Sequence, residues 1–589
     1  MNITFGGRGM NTDYIRTLLA RTIILAFLLT SQGCGGPASE SDIADLVLRD
    51  GRVVTVNEEQ PEATAIATRG AKIIAVGTDR EIDALIGPAT RVIDLAGRLV
   101  TPGFIEGHGH FMSLGNALTV LDLTQAESWD EIVAMVGQAV IEAEPGAWVL
   151  GRGWHQEKWS SPPDPAVEGS PVHHSLSLVS PNNPVLLGHA SGHAAFANQR
   201  AMEIAGLSAS SESPAGGEFV RDDKGELTGL LRETAQRPFW GAVESSREGR
   251  SDAEEEAERR RLVELAGAEA LAKGITSFQD AGASFETIDF FRQLEEEGAL
   301  PVRLYVMVRH ESNEEMDERL PAYRMEAEEN DFLTVRSIKR QIDGALGAHG
   351  AWLLEPYEDL PESVGLVLEP EEEIRRTAQI AARHGFQVNT HAIGDRANRR
   401  VLDLYEEVFA ESGWPSDHRW RIEHAQHLHA DDLQRFAELG VIAAMQGIHC
   451  TSDGPWVLKR LGETRAENGA YLWRELIDSG AIVTNGTDVP VEDINPIASF
   501  DASVSRRMPN GETFYPEHRM SRQEALRSYT LNNAYAAFEE ELKGSLEVGK
   551  LADLVVLSQD ILTVPEEDIG ATRVDFTIVG GEVRYERGE

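Results

Sequence analysis

The sequence predicts an α/β fold: a (β/α)8 TIM-type barrel, a β-sandwich formed from both chain ends, and an insertion after the first barrel strand. Three observations carry this. Eight short, mostly apolar segments between residues 99 and 488 read as strands, with helical periodicity between several of them. Residues 45–100 and 553–585 share one texture of short strands separated by Gly-containing turns. The interval from the first barrel strand to the second is far too long for a single helix.

The 589 residues allow several domains, although a barrel can be one large unit. Net charge is −43, with acidic residues spread along the whole chain. That argues against nucleic acid or anionic lipid as the main partner and fits a solvated surface, but says little about the substrate. A small-molecule substrate is expected on other grounds. Homodimerisation is left open.

The first segment is expected to lie outside the fold. Arg8, Arg16 and Arg21 precede the apolar run 22–30 (TIILAFLLT), and Ser31-Gln32-Gly33-Cys34 follows. A basic region, a short apolar core and a small residue before a cleavage point make an export signal. The run is too short to span a bilayer. Cys34 after Gly33 resembles a bacterial lipoprotein processing site, although Ser31 stands where such sites usually carry Leu. The resemblance implies a lipid anchor to the membrane at the cell envelope and, because Gly35 follows, the periplasmic side of the outer membrane. Ordinary secretion without lipid is the alternative. Residues 35–44 read as a tether. The chain has only Cys34 and Cys450, so a four-cysteine zinc site is excluded, and any metal falls to His, Asp, Glu or Lys-derived groups.

The N-terminal strands of the sandwich are DLVLRDGRVVTV, TAIATRGAKIIAVG and TRVIDLAGRLV, with turns at Asp50-Gly51 and Arg69-Gly70. DLVVLS (553–558) and the pair around Gly580-Gly581 supply the C-terminal ones. The expected division is therefore 45–100 and 544–589 for the sandwich and 101–543 for the barrel. Residues 127–269, with strand-like 147–153 and 184–189, form a cap over the barrel mouth.

Barrel strand one is expected at 99–110 and ends on His108-Gly109-His110. Residues two apart in a strand project to one side, so both imidazoles, a common type of zinc ligand, point together. Gly109 is expected to leave room between them for an ion. The other strands are expected at 274–280, 302–308, 337–343, 387–391, 419–424, 441–446 and 481–488, with helices at 287–297, 371–384, 396–412 and 431–439. Barrel enzymes place their chemistry at the C-terminal ends of strands. There this chain carries His108 and His110, Asp343 with Lys339 further back, His391, Glu423-His424 and Asp488. Four histidines, an aspartate and an inward lysine can surround one point on the axis.

The motifs PGFIEGHGHF (102–111), KRQIDGALG (339–347), HAIGDRA (391–397), RIEHAQ (421–426), NGTDVPV (485–491) and GSLEVGKLADLVVL (544–557) follow in order. The insertion adds GRGWHQEKW (151–159), GHAAFAN (192–198) and GLLRE (229–233). Together they resemble the amidohydrolase superfamily, in its amidohydrolase-3 branch, from about Asp45 to the C-terminus. The resemblance implies a divalent metal centre of one or two ions, zinc first, held by His108, His110, His391 and His424. Asp488 is then both ligand and catalytic proton carrier. Lys339 falls where many relatives carry a lysine carboxylated by carbon dioxide to bridge two metals. Carboxylation needs a neutral amine, so burial must lower the lysine pKa. An uncarboxylated lysine beside one ion is the alternative. Glu106 stands where relatives usually have Asp.

His193, and His155 beside Trp154, are candidate substrate contacts, as is Arg232, for which an acidic neighbour is the competing partner. Trp154, Trp159, Phe196, Phe239 and Trp240 form either a pocket lid or the cap's own core. His173, His174, His189, His349, His427, His429 and His449 are read as structural or surface groups. The function implied is metal-dependent hydrolysis of a non-peptide C–N bond, with Asp488 shuttling the proton. Alternatives are the same centre acting on an ester, lactone or cyclic ureide, and a catalytically silent binding lipoprotein.

Overall fold

The computed structural model describes residues 43–588 except 329 and 414–416. The export signal and Cys34 lie outside the described residues.

Eight parallel strands form one sheet in sequential order: Phe104–Gly109, Ile275–Ala283, Arg303–Val308, Leu333–Gln341, Gln387–Ala392, Arg421–His424, Ile442–Gln446 and Val483–Gly486. We number them barrel strands one to eight. Strands two to eight stand where the apolar segments placed them; of the stretch 99–110 expected as strand one, only Phe104–Gly109 lies in the barrel, and Leu99–Pro102 pairs into the sandwich. Strand four starts four residues earlier than expected and ends before Asp343. Its polar residues find partners there: Thr334 Oγ1 donates to Glu539 (2.8 Å) and the Arg336 guanidinium lies over the Phe538 ring. Strands eight and one close the barrel through Asp488 N–H to His108 O (2.8 Å) and through Asn533, whose amide donates to Ile105 O (2.7 Å) and Asn485 O (2.8 Å).

Both chain ends join the sandwich. A four-stranded sheet comes from residues 46–94 alone, and a six-stranded sheet interleaves the two ends. At its centre Leu554–Leu557 runs antiparallel to Leu99–Pro102, pairing Val556 with Val100. Leu48, Ile66, Ile93, Val100, Leu554 and Ile578 pack between the sheets. A buried bidentate pair, Arg303 Nε to Asp553 Oδ2 (2.8 Å) and Nη2 to Oδ1 (3.1 Å), ties the base of barrel strand three to the sandwich.

The insertion holds its own six-stranded mixed sheet. Trp129, Trp154 and Phe196 fill one of its cores, with Trp159 packed against it; Phe239 fills another, and Trp240 is exposed. Helix Asp252–Ala272 lies inside the stretch expected for the cap, yet it runs into strand two and buries Val263, Ala266 and Ala270 in the barrel core.

Candidate metal centre

The alternation of strand one aims His108 into the barrel mouth, and His110 follows as the residue capping helix Phe111–Ala117. Gly109 faces the other way. A Cβ there would lie 2.5 Å from Phe278 Cζ and 2.9 Å from Val489 Cγ1. Close packing behind the strand requires the glycine, which corrects the expectation that it makes room for an ion.

Buried acceptors orient the imidazoles. His108 Nδ1 contacts the Glu423 carboxylate, which only accepts, so Nδ1 carries the hydrogen and Nε2 keeps its lone pair. Glu423 is held in turn by Arg421 Nε (2.7 Å), and Arg421 is anchored on Gln279 (2.5 Å) and Gly107 O (3.0 Å). His424 Nδ1 meets Gln446 Oε1 at 2.8 Å, and the Gln446 amide nitrogen donates to Ala444 O (3.1 Å), which fixes that side chain's orientation. His391 Nε2 is buried and makes no hydrogen bond among the described residues. It lies 3.5 Å from Asp343 Oδ1, whose carboxylate accepts the backbone N–H groups of Trp352 (2.8 Å), Ile393 (3.0 Å) and Gly394 (2.9 Å).

Asp488 closes the group. Its Oδ1 lies 3.2 Å from His110 Nε2 and 3.6 Å from His108 Nε2, and its Oδ2 is 4.0 Å from His424 Nδ1. His108, His424 and Asp488 present ligand atoms within 4.8 Å of one another. His391 stands beside them, its ring 4.4 Å from that of His424. Lys339 is buried, with Nζ 3.4 Å from His108 Nε2. His424 (φ 77°) and Asp488 (φ 58°) both adopt the left-handed backbone region, a conformation costing on the order of 1–3 kcal/mol that clusters at functional sites.

The protonation states suit a cation. Burial, followed by the charge of Lys339, pulls His108 down to about 4. Burial also holds His391 and His424 well below their usual value, with neighbouring cationic groups adding to it. All three are neutral, as ligands must be. Asp488 is pushed up by burial, but the hydrogen bond from His110 and the surrounding imidazoles outweigh that and keep it ionised. Burial, reinforced by Arg309, brings Lys339 to about 7, so a large fraction of neutral amine exists at neutral pH. Neutral nitrogen donors, one carboxylate and a buried, unbonded His391 Nε2 fit a divalent metal.

A cavity opens from this group beneath the cap. His155 and His193 line it. His193 Nδ1 donates to Glu233 (2.9 and 3.0 Å). Two of the expected substrate contacts sit elsewhere. The Trp154 ring is buried in the cap core, its Nε1 donating to Leu187 O (2.8 Å). The Arg232 guanidinium is taken by Glu168 and Glu218 (2.7 Å each). Conversely, His189 and His449, read from sequence as structural, line the cavity. Helix Gly447–Leu461 presents His449, Asp453 and Trp456 to it at i, i+4 and i+7, a spacing that marks one helix face. The sequence reading offered Glu233 only as a partner for Arg232, placed Asp343 among the polar strand ends without a role, and did not single out Gln446; each orients a histidine or a loop contributed by a distant segment.

The profile of the Amidohydrolase family (Amidohydro_3) matches residues 91–585. Protein LONG AFTER FAR-RED 3 of Arabidopsis thaliana is 34% identical over 92% of both chains. N-substituted formamide deformylase of Arthrobacter pascens is 28% identical over 93% of this chain and 99% of its own. An uncharacterized metal-dependent hydrolase from Pyrococcus horikoshii superposes with a TM-score of 0.69 at 25% identity, covering 89% of this chain and 99% of that one. Together with the histidines and Asp488 gathered at the mouth of an eight-stranded barrel, these matches place the chain: it belongs to the amidohydrolase family, as a metal-dependent hydrolase of the Amidohydro_3 branch.

Proposed function

We propose that the chain hydrolyses a non-peptide C–N bond, of amide type, in a small molecule. The observation that carries this is the position of Asp488: an ionised carboxylate 3.2 Å from His110 and 3.6 Å from His108, opening on a lined cavity. His108, His110, His391, His424 and Asp488 would hold a divalent cation, with carboxylated Lys339 as a further ligand were two zinc ions bound; the metal would lower the pKa of a water to roughly 7 and supply positive charge for a developing oxyanion. Asp488 takes the proton of the attacking water and delivers it to the departing nitrogen. An amine leaves poorly unless protonated, so this transfer is what an amide substrate requires. His193 faces the cavity with Nδ1 bound to Glu233, and burial, which lowers its pKa, is outweighed by the Glu233 charge, which raises it. It is placed to bear positive charge toward the oxyanion. A relative named as an N-substituted formamide deformylase supports the C–N reading.

The test is metal analysis of the purified protein alongside a screen of N-formyl amines, acyl amino acids, lactones and hydantoins. Turnover of amides with stoichiometric metal is expected. Turnover confined to esters or lactones contradicts the bond assignment, and a metal-loaded protein inert to all four leaves only the silent binding alternative.

The chain is, in the same reading, exported and lipid-anchored through Cys34, which Gly33-Cys34 after a basic and apolar segment supports. Mass spectrometry of membrane-extracted protein should find an acylated N-terminal Cys34. A form retaining residues 1–33, or a bare cysteine, contradicts it.

A further inference from the structure

His449 is buried, lines the cavity, and lies parallel to the His424 ring at 6.4 Å. Three bonds behind it fix its tautomer. The Tyr471 hydroxyl donates to Asp453 Oδ2 (2.8 Å), so its oxygen is left to accept. The Gln426 side chain stands 3.3 Å from that oxygen and must offer its NH2 there, because its carbonyl could only accept. The same NH2 reaches His449 Nδ1 at 3.0 Å and donates its other hydrogen. Nδ1 therefore accepts, and in the neutral imidazole Nε2 carries the hydrogen. That Nε2 is buried and, among the described residues, makes no hydrogen bond of its own. A buried donor left without a partner destabilises the fold. An oriented, unsatisfied donor one ring away from a candidate metal ligand is the arrangement of a group that waits for a ligand's oxygen.

We propose that His449 binds the substrate directly, its Nε2–H donating to the acyl oxygen beside the metal centre, while Gln426, Tyr471 and Asp453 act as positioning residues that hold the required tautomer. The inference rests on the hydrolase reading in one respect only, the naming of that oxygen as an acyl oxygen. A carbonyl or carboxylate supplies the acceptor, so the ligand class is an acyl compound or the carboxylate it releases.

The probe is acetate, bound to the metal-loaded full chain and followed by calorimetry. A hydrogen bond to a charged acceptor is worth enough that His449→Phe and His449→Asn should each weaken acetate by about tenfold or more. His449→Gln sets its amide nitrogen near the position of Nε2 and should keep most of the affinity. Equal affinity in the parent and His449→Phe overturns the proposal, and so does a loss in His449→Gln as large as in His449→Phe. Nitrogen-15 spectra of histidine-labelled protein, assigned by the signal missing in His449→Phe, should show Nε2 protonated and Nδ1 bare; the reverse tautomer overturns it. Neither measurement needs turnover, so a failed substrate screen would sink the proposed reaction and leave this inference standing.

Discussion

Glu106 reaches across the joint between the first and last barrel strands and accepts both the backbone N–H (2.7 Å) and the hydroxyl (3.0 Å) of Thr487. The carboxylate passes so close to strand eight that a Cβ on Gly486 would lie 2.5 Å from Oε1. Thr487 is buried and immediately precedes Asp488, so this contact holds the backbone of Asp488 in place. Glu106→Ala strands both Thr487 donors, at about 1–3 kcal/mol each. Thermal unfolding beside the parent should show a lower midpoint; an unchanged midpoint would mean that Asn533 and the Asp488–His108 backbone bond suffice to hold the joint.

Glu423 orients His108 while Arg421 orients Glu423. Glu423→Gln keeps the size but no longer guarantees an acceptor at His108 Nδ1. Loss of such an outer contact typically weakens metal binding by about 10–100-fold. Competition with a chelator measures this, and parent-like affinity would show that the ring is fixed by packing.

Arg303 and Asp553 form a buried pair between barrel and sandwich. Removing one partner of such a pair typically costs about 3–5 kcal/mol. Asp553→Asn should therefore destabilise the fold at neutral pH. Burial raises the Asp553 pKa, but the charge and hydrogen bonds of Arg303 outweigh it, and the net shift is downward. A depressed carboxyl contributes stability above its unfolded value, about 4, and loses it as pH falls through the folded one. The gap between parent and variant should shrink on acidification, which unfolding curves at several pH values will show.

His193 gives the opposite sign. Burial lowers its pKa, Glu233 raises it, and the net shift is upward. Its pairing contributes stability that is complete below the ordinary histidine value of about 6.5 and is lost as pH rises through the folded value. Glu233→Gln removes the charge and hydrogen bond that raise it most, leaving burial opposed only by Asp488 and Asp343, so a proton-resonance titration should move His193 downward. An unmoved titration would separate the two residues electrostatically.

The barrel strands were legible because most are short apolar runs, and the candidate ligands because a polar residue of apt chemistry stands at the end of five of the eight. Glu106 could be seen as a departure from the family pattern, but its role needed the closed barrel, which brings residues 106 and 487 together. His449 was missed for a related reason: it sits on the helix after strand seven, and its face is set by Gln426 and Tyr471 from other segments. Trp154 and Arg232 show the converse. Each lies in a motif of the insertion, yet an aromatic there fills the small cap core, and a cation in so acidic a chain meets Glu168 and Glu218 before it meets a ligand.

The central claim is that Asp488 carries the proton in both directions, and Asp488→Asn tests it most directly. Asparagine keeps the size and an oxygen donor but cannot take up a proton. General acid–base groups contribute on the order of 10²–10⁴-fold, and here one residue serves both transfers. Hydrolysis and metal content should be measured on the same sample, since loss of a ligating charge also weakens metal binding. The account predicts hydrolysis reduced by at least that factor in molecules that still hold metal. Near-normal hydrolysis at full metal occupancy would contradict it and remove Asp488 from the proton path.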